Sequence, residues 1–99
     1  MTGKNDWRIR TSPEIRNLIS RLHPDIKKRI KDAITTILEN PGSGKLLKAD
    51  LEGLMSFRTG KFRIIYRLEK DKTLTILVIG PRTTIYEETL MLLKRDSKD

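Results

Sequence analysis

The sequence predicts an α+β fold, an antiparallel β meander packed on an N-terminal helical hairpin, in the order β-α-α-β-β-β-α. Three observations predict it. Between Leu51 and Tyr86, three apolar runs alternate with basic residues and are parted by two turn-like breaks. Between Pro13 and Leu38, apolar residues recur at helical spacing in two stretches. Just after Asp6, bulky and charged residues alternate with the period of a strand.

The elements follow in chain order. Met1 to Asp6 is polar and is expected to fray. Trp7 to Thr11 sets Trp7 and Ile9 against Arg8 and Arg10, the pattern of a short half-buried strand. Ser12 suits a helix N-cap, Pro13 the first helical position, and Glu14 the positive helix end. Ile15, Leu18, Ile19 and Leu22 then recur as one face. His23 precedes Pro24, and that position disfavours helical geometry, so the helix breaks there. Pro24 opens a second helix whose stripe is Ile26, Ile30, Ala33, Ile34, Ile37 and Leu38. Asn40 to Gly44 ends it. Lys45 to Asp50 matches no single template.

Leu54 to Thr59 reads as a strand with Met55 and Phe57 on one face, and Gly60 and Lys61 sit near a turn. In the next strand Phe62, Ile64, Tyr66 and Leu68 share one face, and Arg63, Ile65 and Arg67 the other. Lys70 to Lys72 forms a second turn. Leu74 to Ile79 is nearly all apolar, as a central strand would be. Gly80 and Pro81 stop it, because proline has no N–H for the ladder. Thr84 and Glu87 have capping-box spacing, which starts a last helix near Ile85. Arg95 to Asp99 is a charged tail. Short connections make the last three strands a meander. The hairpin buries its isoleucines on one sheet face, the first strand returns to the sheet, and the other face is left free for function.

At 99 residues the chain predicts a single domain, residues 1–99. A domain of this size buries roughly 60–70% of the surface its unfolded chain exposes, enough for one core. The composition is 36% apolar and 34% charged, with a net charge of +8, so the expected partner is a polyanion or an acidic surface. With no cysteine, disulfides and thiolate metal sites are excluded. One histidine and scattered carboxylates suggest no metal site and no cofactor. The first ten residues hold no apolar signal segment, and no run approaches the roughly 20 residues of a membrane span, so a cytoplasmic location is expected.

The residues able to carry chemistry are Arg63, Arg82 and Tyr86. Arg63 lies on the strand face opposite Phe62 and Ile64. Arg82 follows the Gly-Pro stop of the neighbouring strand, and Tyr86 falls in the first turn of the last helix. A meander brings these three places together. Arginine's planar fork matches phosphate oxygens, and a helix N-terminus adds backbone donors for an anion. A solvated strand arginine, a loop charge and a core aromatic fit the same spacing. Lys27, Lys28, Arg29 and Lys31 form a basic helix stripe that suits RNA phosphates or, equally, a solvated face. His23 fits a turn better than a catalytic role.

At these residues the chain resembles the RelE/ParE toxin superfamily of type II toxin–antitoxin systems. The resemblance rests on LLKADLEGLMSFRTGKFRIIYRLE followed by ILVIGPRTTIYEE. These segments hold a Leu-x-Gly at Leu51 and Gly53, then an Arg-x-Gly-x-x-Arg-x-x-Tyr at Arg58, Gly60, Arg63 and Tyr66. They end on Arg82 with Tyr86 nearby. The RelE branch implies a RelE-like fold and a ribosome-dependent endoribonuclease that cleaves messenger RNA by 2′-hydroxyl attack without a metal. By resemblance, Arg63 and Arg82 would hold the phosphate and Tyr86 would take part in proton transfer. The branch's lysines are replaced by Leu54 and Ser56, with Lys48, Arg58 and Lys61 as substitutes for RNA binding alongside Lys27, Lys28 and Lys31. The resemblance also implies a cognate antitoxin that wraps the toxin, and the ribosome with its message as partners. The alternatives are a ParE-like DNA gyrase inhibitor and a non-catalytic RNA-binding module.

Overall fold

Ser12 begins the helical hairpin as the sequence predicts: its Oγ accepts the Ile15 N–H at 3.2 Å and Pro13 occupies the first turn. The computed structural model describes residues 7–96, so the expected fraying of Met1 to Asp6 and the tail beyond Asp96 lie outside the described residues. Strand β1 (Arg8–Arg10) leads into α1 (Pro13–Arg21) and α2 (Pro24–Glu39). His23 caps α2, its Nδ1 accepting the Asp25 N–H at 3.1 Å, which gives this residue its turn role. After a 3-10 turn at Pro41–Ser43 come the short β2 (Lys45–Leu46) and a second 3-10 turn at Ala49–Leu51. Then follow β3 (Met55–Thr59), β4 (Phe62–Leu68), β5 (Thr73–Pro81) and α3 (Ile85–Asp96).

The five strands form one sheet in the order β1-β5-β4-β3-β2. The pairs from β2 to β5 are antiparallel, and β1 returns across the hairpin to lie parallel to β5. The strand β2 was not expected from the sequence. Two residues are too few to show an alternation.

Ile15, Ile30, Ala33 and Ile37 of the hairpin pack on Met55, Ile64, Tyr66, Leu74, Ile76 and Ile79 of the sheet. The expectation that the other face stays open is corrected here. Ile85 of α3 is fully buried with Ile65 and Leu54, and Leu77, Val78, Tyr86 and Leu93 pack around them. The register explains the unbroken apolar run in β5. Ile65 pairs with Val78 but Tyr66 pairs with Ile76, so Leu77 is the extra residue of a bulge. Ile76 and Ile79 therefore face the hairpin, while Leu77 and Val78 face α3. Both faces of β5 therefore carry packed helices.

The α3 start matches the expectation near Ile85, with one difference. The Thr84 hydroxyl donates to the Glu88 carboxylate at 3.4 Å rather than pairing with Glu87. Gly80 lets this first turn approach the sheet. A Cβ there would lie 3.0 Å from Glu88 Oε1 and 3.2 Å from Ile85 Cδ1.

Candidate functional site at the open end of the sheet

Arg63 stands in β4 directly opposite Arg58 on β3 and Gly80 on β5. Residues opposite each other in a ladder share a face, so both arginines lie on the α3 side, with Ser56 two residues along β3. Arg63 Nη1 donates to Ser56 Oγ at 3.0 Å, and Ser56 is buried. Arg63 Nε is buried without a hydrogen-bond partner. The guanidinium carbon lies 6.0 Å from the centre of the Tyr86 ring, at the outer limit of a cation–π contact. Tyr86 is half-buried at the start of α3, its ring packed beside Ile65 and Ile85.

The turn between β3 and β4 supplies further cations. Gly60 takes a left-handed φ of +63°, which this tight turn requires. The Arg82 N–H donates to the Lys61 carbonyl at 3.0 Å, tying the chain after β5 to that turn. Arg58, Lys61 and Arg82 then line one hollow of about 410 Å³ with Gly60, Pro81 and Thr83. None of Arg58, Lys61, Arg63 and Arg82 forms an ion pair among the described residues. Like charges directly across a strand pair repel, so the sheet carries the Arg58–Arg63 pair at some cost to stability. An anion at this end would relieve it.

The structure thus brings Arg63 to Tyr86 and to Arg58, and Arg82 to Arg58 and Lys61. It does not bring Lys48 there. Lys48 lines a different hollow, beside Leu46, Ala49 and Glu52. Lys27, Lys28 and Lys31 stay on α2 and line neither hollow, and Lys28 is paired with Asp32 at 3.4 Å. Leu54 and Ser56, which stand where the resemblance expects lysines, are 3% and 2% exposed. Arg29 was not singled out from its stripe, yet one of its terminal nitrogens would lie 3.3 Å from a Cβ on Gly60. The role of Ser56 also went unread, although its period-two relation to Arg58 places it on the Arg63 face.

A model of the ParE-like toxin family, described as ParE-like toxins of type II bacterial toxin–antitoxin systems, matches residues 9–90. The chain belongs to this family. It is a type II toxin–antitoxin system toxin with a RelE-like α+β fold. Among solved structures, this ParE-like toxin is similar to a chain of the RelBE2 toxin–antitoxin complex from Mycobacterium tuberculosis. The two are 28% identical, with 77% of this toxin and 98% of that chain covered and a TM-score of 0.68. A chain of the archaeal RelE–RelB complex from Pyrococcus horikoshii OT3 is 23% identical, with 77% and 94% covered and a TM-score of 0.62. A free E. coli RelE carrying two arginine substitutions is 15% identical, with 90% and 96% covered and a TM-score of 0.69. At their identities the last two likenesses concern the fold. No curated protein matches the toxin in sequence.

Proposed function

We propose that this toxin is a metal-independent endoribonuclease that cuts messenger RNA on the ribosome. In the reaction the 2′-oxygen bonds to the adjacent phosphorus and the bond to the 5′-oxygen breaks. One proton leaves the 2′-hydroxyl and one reaches the departing oxygen. Negative charge builds on the phosphoryl oxygens, which preorganised cations stabilise best. Arg63 and Arg82 take that role, with Arg58 and Lys61 holding the flanking phosphate. Tyr86 moves the proton. Glu87 and Glu88 are the next groups along for that task. The observation that carries this reading is the Arg63 guanidinium over the Tyr86 ring at 6.0 Å, beside three further cations with no carboxylate partner.

Primer extension on a translated message tests it. The parent protein should produce cuts within the codon waiting in the ribosomal A site, and Arg63→Ala should produce none. Uncut message in the presence of active protein would refute the nuclease. The ParE-like description of the family favours a second reading, a gyrase poison, and the buried Leu54 and Ser56 in place of lysines point the same way. A gyrase-cleavage assay run beside the primer extension separates the two. RNA retention without cutting would indicate a binding module instead. The RelBE2 and archaeal RelE–RelB structures are toxin–antitoxin complexes, which supports a cognate antitoxin as partner of this toxin too. Co-expression with the adjacent small reading frame should yield a soluble complex and restore growth.

A further inference from the structure

A second hollow, of about 510 Å³, lies across the β3–β4 turn from the cationic one, between that turn and the α1–α2 junction. The two share Gly60 and Lys61 as a common wall. Its apolar lining is Ile26, Ile30 and Phe62, and its rim carries His23, Arg29 and Lys61 against one carboxylate, Asp25. Phe62 directly precedes Arg63 in β4, so the two side chains lie on opposite faces of the same strand. A chain passing over the Gly60 turn would therefore meet cations on one side and an aromatic, apolar recess on the other. That is the pairing single-stranded nucleic acid needs: a positive track for the backbone and a platform for an unstacked base.

We propose that this recess holds one nucleobase of the RNA strand whose flanking phosphate is held by Arg58 and Lys61 in the adjoining hollow. The base lies against Phe62 and the isoleucines, and Arg29 closes over the turn toward the adjoining phosphate. The proposal rests on the nuclease reading and adds a base subsite to it. It also gives a function to Arg29, one of whose terminal nitrogens reaches the Gly60 turn.

The test uses 2-aminopurine placed in turn at each position of the A-site codon on programmed ribosomes, with 2′-methoxy nucleotides blocking cleavage. Cleavage of the unmodified message is measured in parallel. One labelled position should change its fluorescence when the parent toxin binds. Phe62→Leu keeps an apolar side chain but removes the ring, and Arg29→Gln keeps length but removes the charge. Each should weaken binding of the message about tenfold, as expected for loss of one stacked base or phosphate contact, and Phe62→Leu should abolish the fluorescence change. Arg82→Ala should weaken binding yet retain the change at saturation. Thermal melting confirms that each variant folds. If the parent cuts message but no label responds, or if Phe62→Leu responds as the parent does, the base subsite is wrong while the nuclease stands. If the parent neither cuts nor binds, both readings fall together. If the two variants weaken only antitoxin binding, the recess is a protein-docking groove and not a base site.

Discussion

The Arg63 guanidinium carbon lies 6.0 Å from the centre of the Tyr86 ring, where the central strands meet the first turn of α3. Two unrelated constraints set this distance. Ser56 fixes the guanidinium by accepting from Nη1 at 3.0 Å, and buried Ile85 fixes the first turn of α3 one residue before Tyr86.

Tyr86→Phe keeps the ring under Arg63 and removes only the hydroxyl. Loss of one acid–base group lowers rates by about 10²–10⁴, or roughly 3–5 kcal/mol in the barrier. Single-turnover cleavage on programmed ribosomes should fall by that amount with ribosome affinity nearly unchanged. Arg63→Ala and Arg82→Ala should lose rate and message affinity together. A Tyr86→Phe variant that cuts at the parental rate would make Tyr86 a packing residue and move the proton transfer to another group.

Gly80→Ala tests whether the site depends on how closely α3 approaches. The new methyl would meet Glu88 Oε1 at 3.0 Å and Ile85 Cδ1 at 3.2 Å. The carboxylate can swing away, but Ile85 is fully buried and cannot. Overpacking of this kind costs about 1–3 kcal/mol. The first turn of α3 should shift, so Gly80→Ala is expected to lower both the melting temperature and the cleavage rate. A variant with parental rate and stability would show that the approach is loose.

The hairpin stripes, the strand alternation from Phe62 to Leu68 and the start of α3 are legible in the sequence because each repeats a period over several residues. The bulge at Leu77 is not, since an all-apolar run hides alternation. The cover over the second sheet face was missed because no apolar face was assigned to α3. The relation of Arg58 to Arg63 is readable once Gly60 sets the turn, and Ser56 follows by period two. Arg29 differs. Its closeness to Gly60 depends on how α2 crosses the sheet, and no spacing within the helix encodes that.

Arg58 should separate stability from binding. It faces Arg63 across the ladder, and like charges directly opposite are destabilising. Arg58→Thr removes the repulsion and supplies a strand-favouring side chain. Its melting temperature should rise by a few degrees, which for a domain of this size is about 0.5 kcal/mol. Its RNA affinity should drop, and the slope of log affinity against log salt should flatten by about 0.7, one single-strand phosphate contact. Lys28→Ala should change the slope less, because Lys28 is already paired with Asp32. Equal slopes for Arg58→Thr and the parent would remove Arg58 from the RNA surface.

Tyr66 holds the loop after α2 rather than the site. Its hydroxyl donates to the Pro41 carbonyl at 2.9 Å and accepts the Gly44 N–H at 2.9 Å. Gly44 has no room for a side chain, since a Cβ there would collide with the Tyr66 ring. Burial raises the Tyr66 pKa above the ordinary value of 10.0, against smaller opposing effects from the Gly44 N–H and the Ser43 side chain. The folded protein therefore holds this proton more tightly than the unfolded chain does. The stabilisation is complete below about pH 10 and is lost as pH rises through the folded pKa. Tyr66→Phe removes the proton and both hydrogen bonds, leaving the Pro41 carbonyl and the Gly44 N–H without that partner, at about 1–3 kcal/mol. Urea unfolding from pH 8 to 12 should show the parent losing stability above pH 10 more steeply than Tyr66→Phe, with the gap between them closing. Cleavage at neutral pH should match the parent, because the hydroxyl faces the hairpin side of the sheet, away from Arg63. A gap that stays constant up to pH 12 would mean that Tyr66 has the same pKa in the folded and the unfolded chain, and that its burial contributes no pH-dependent stability.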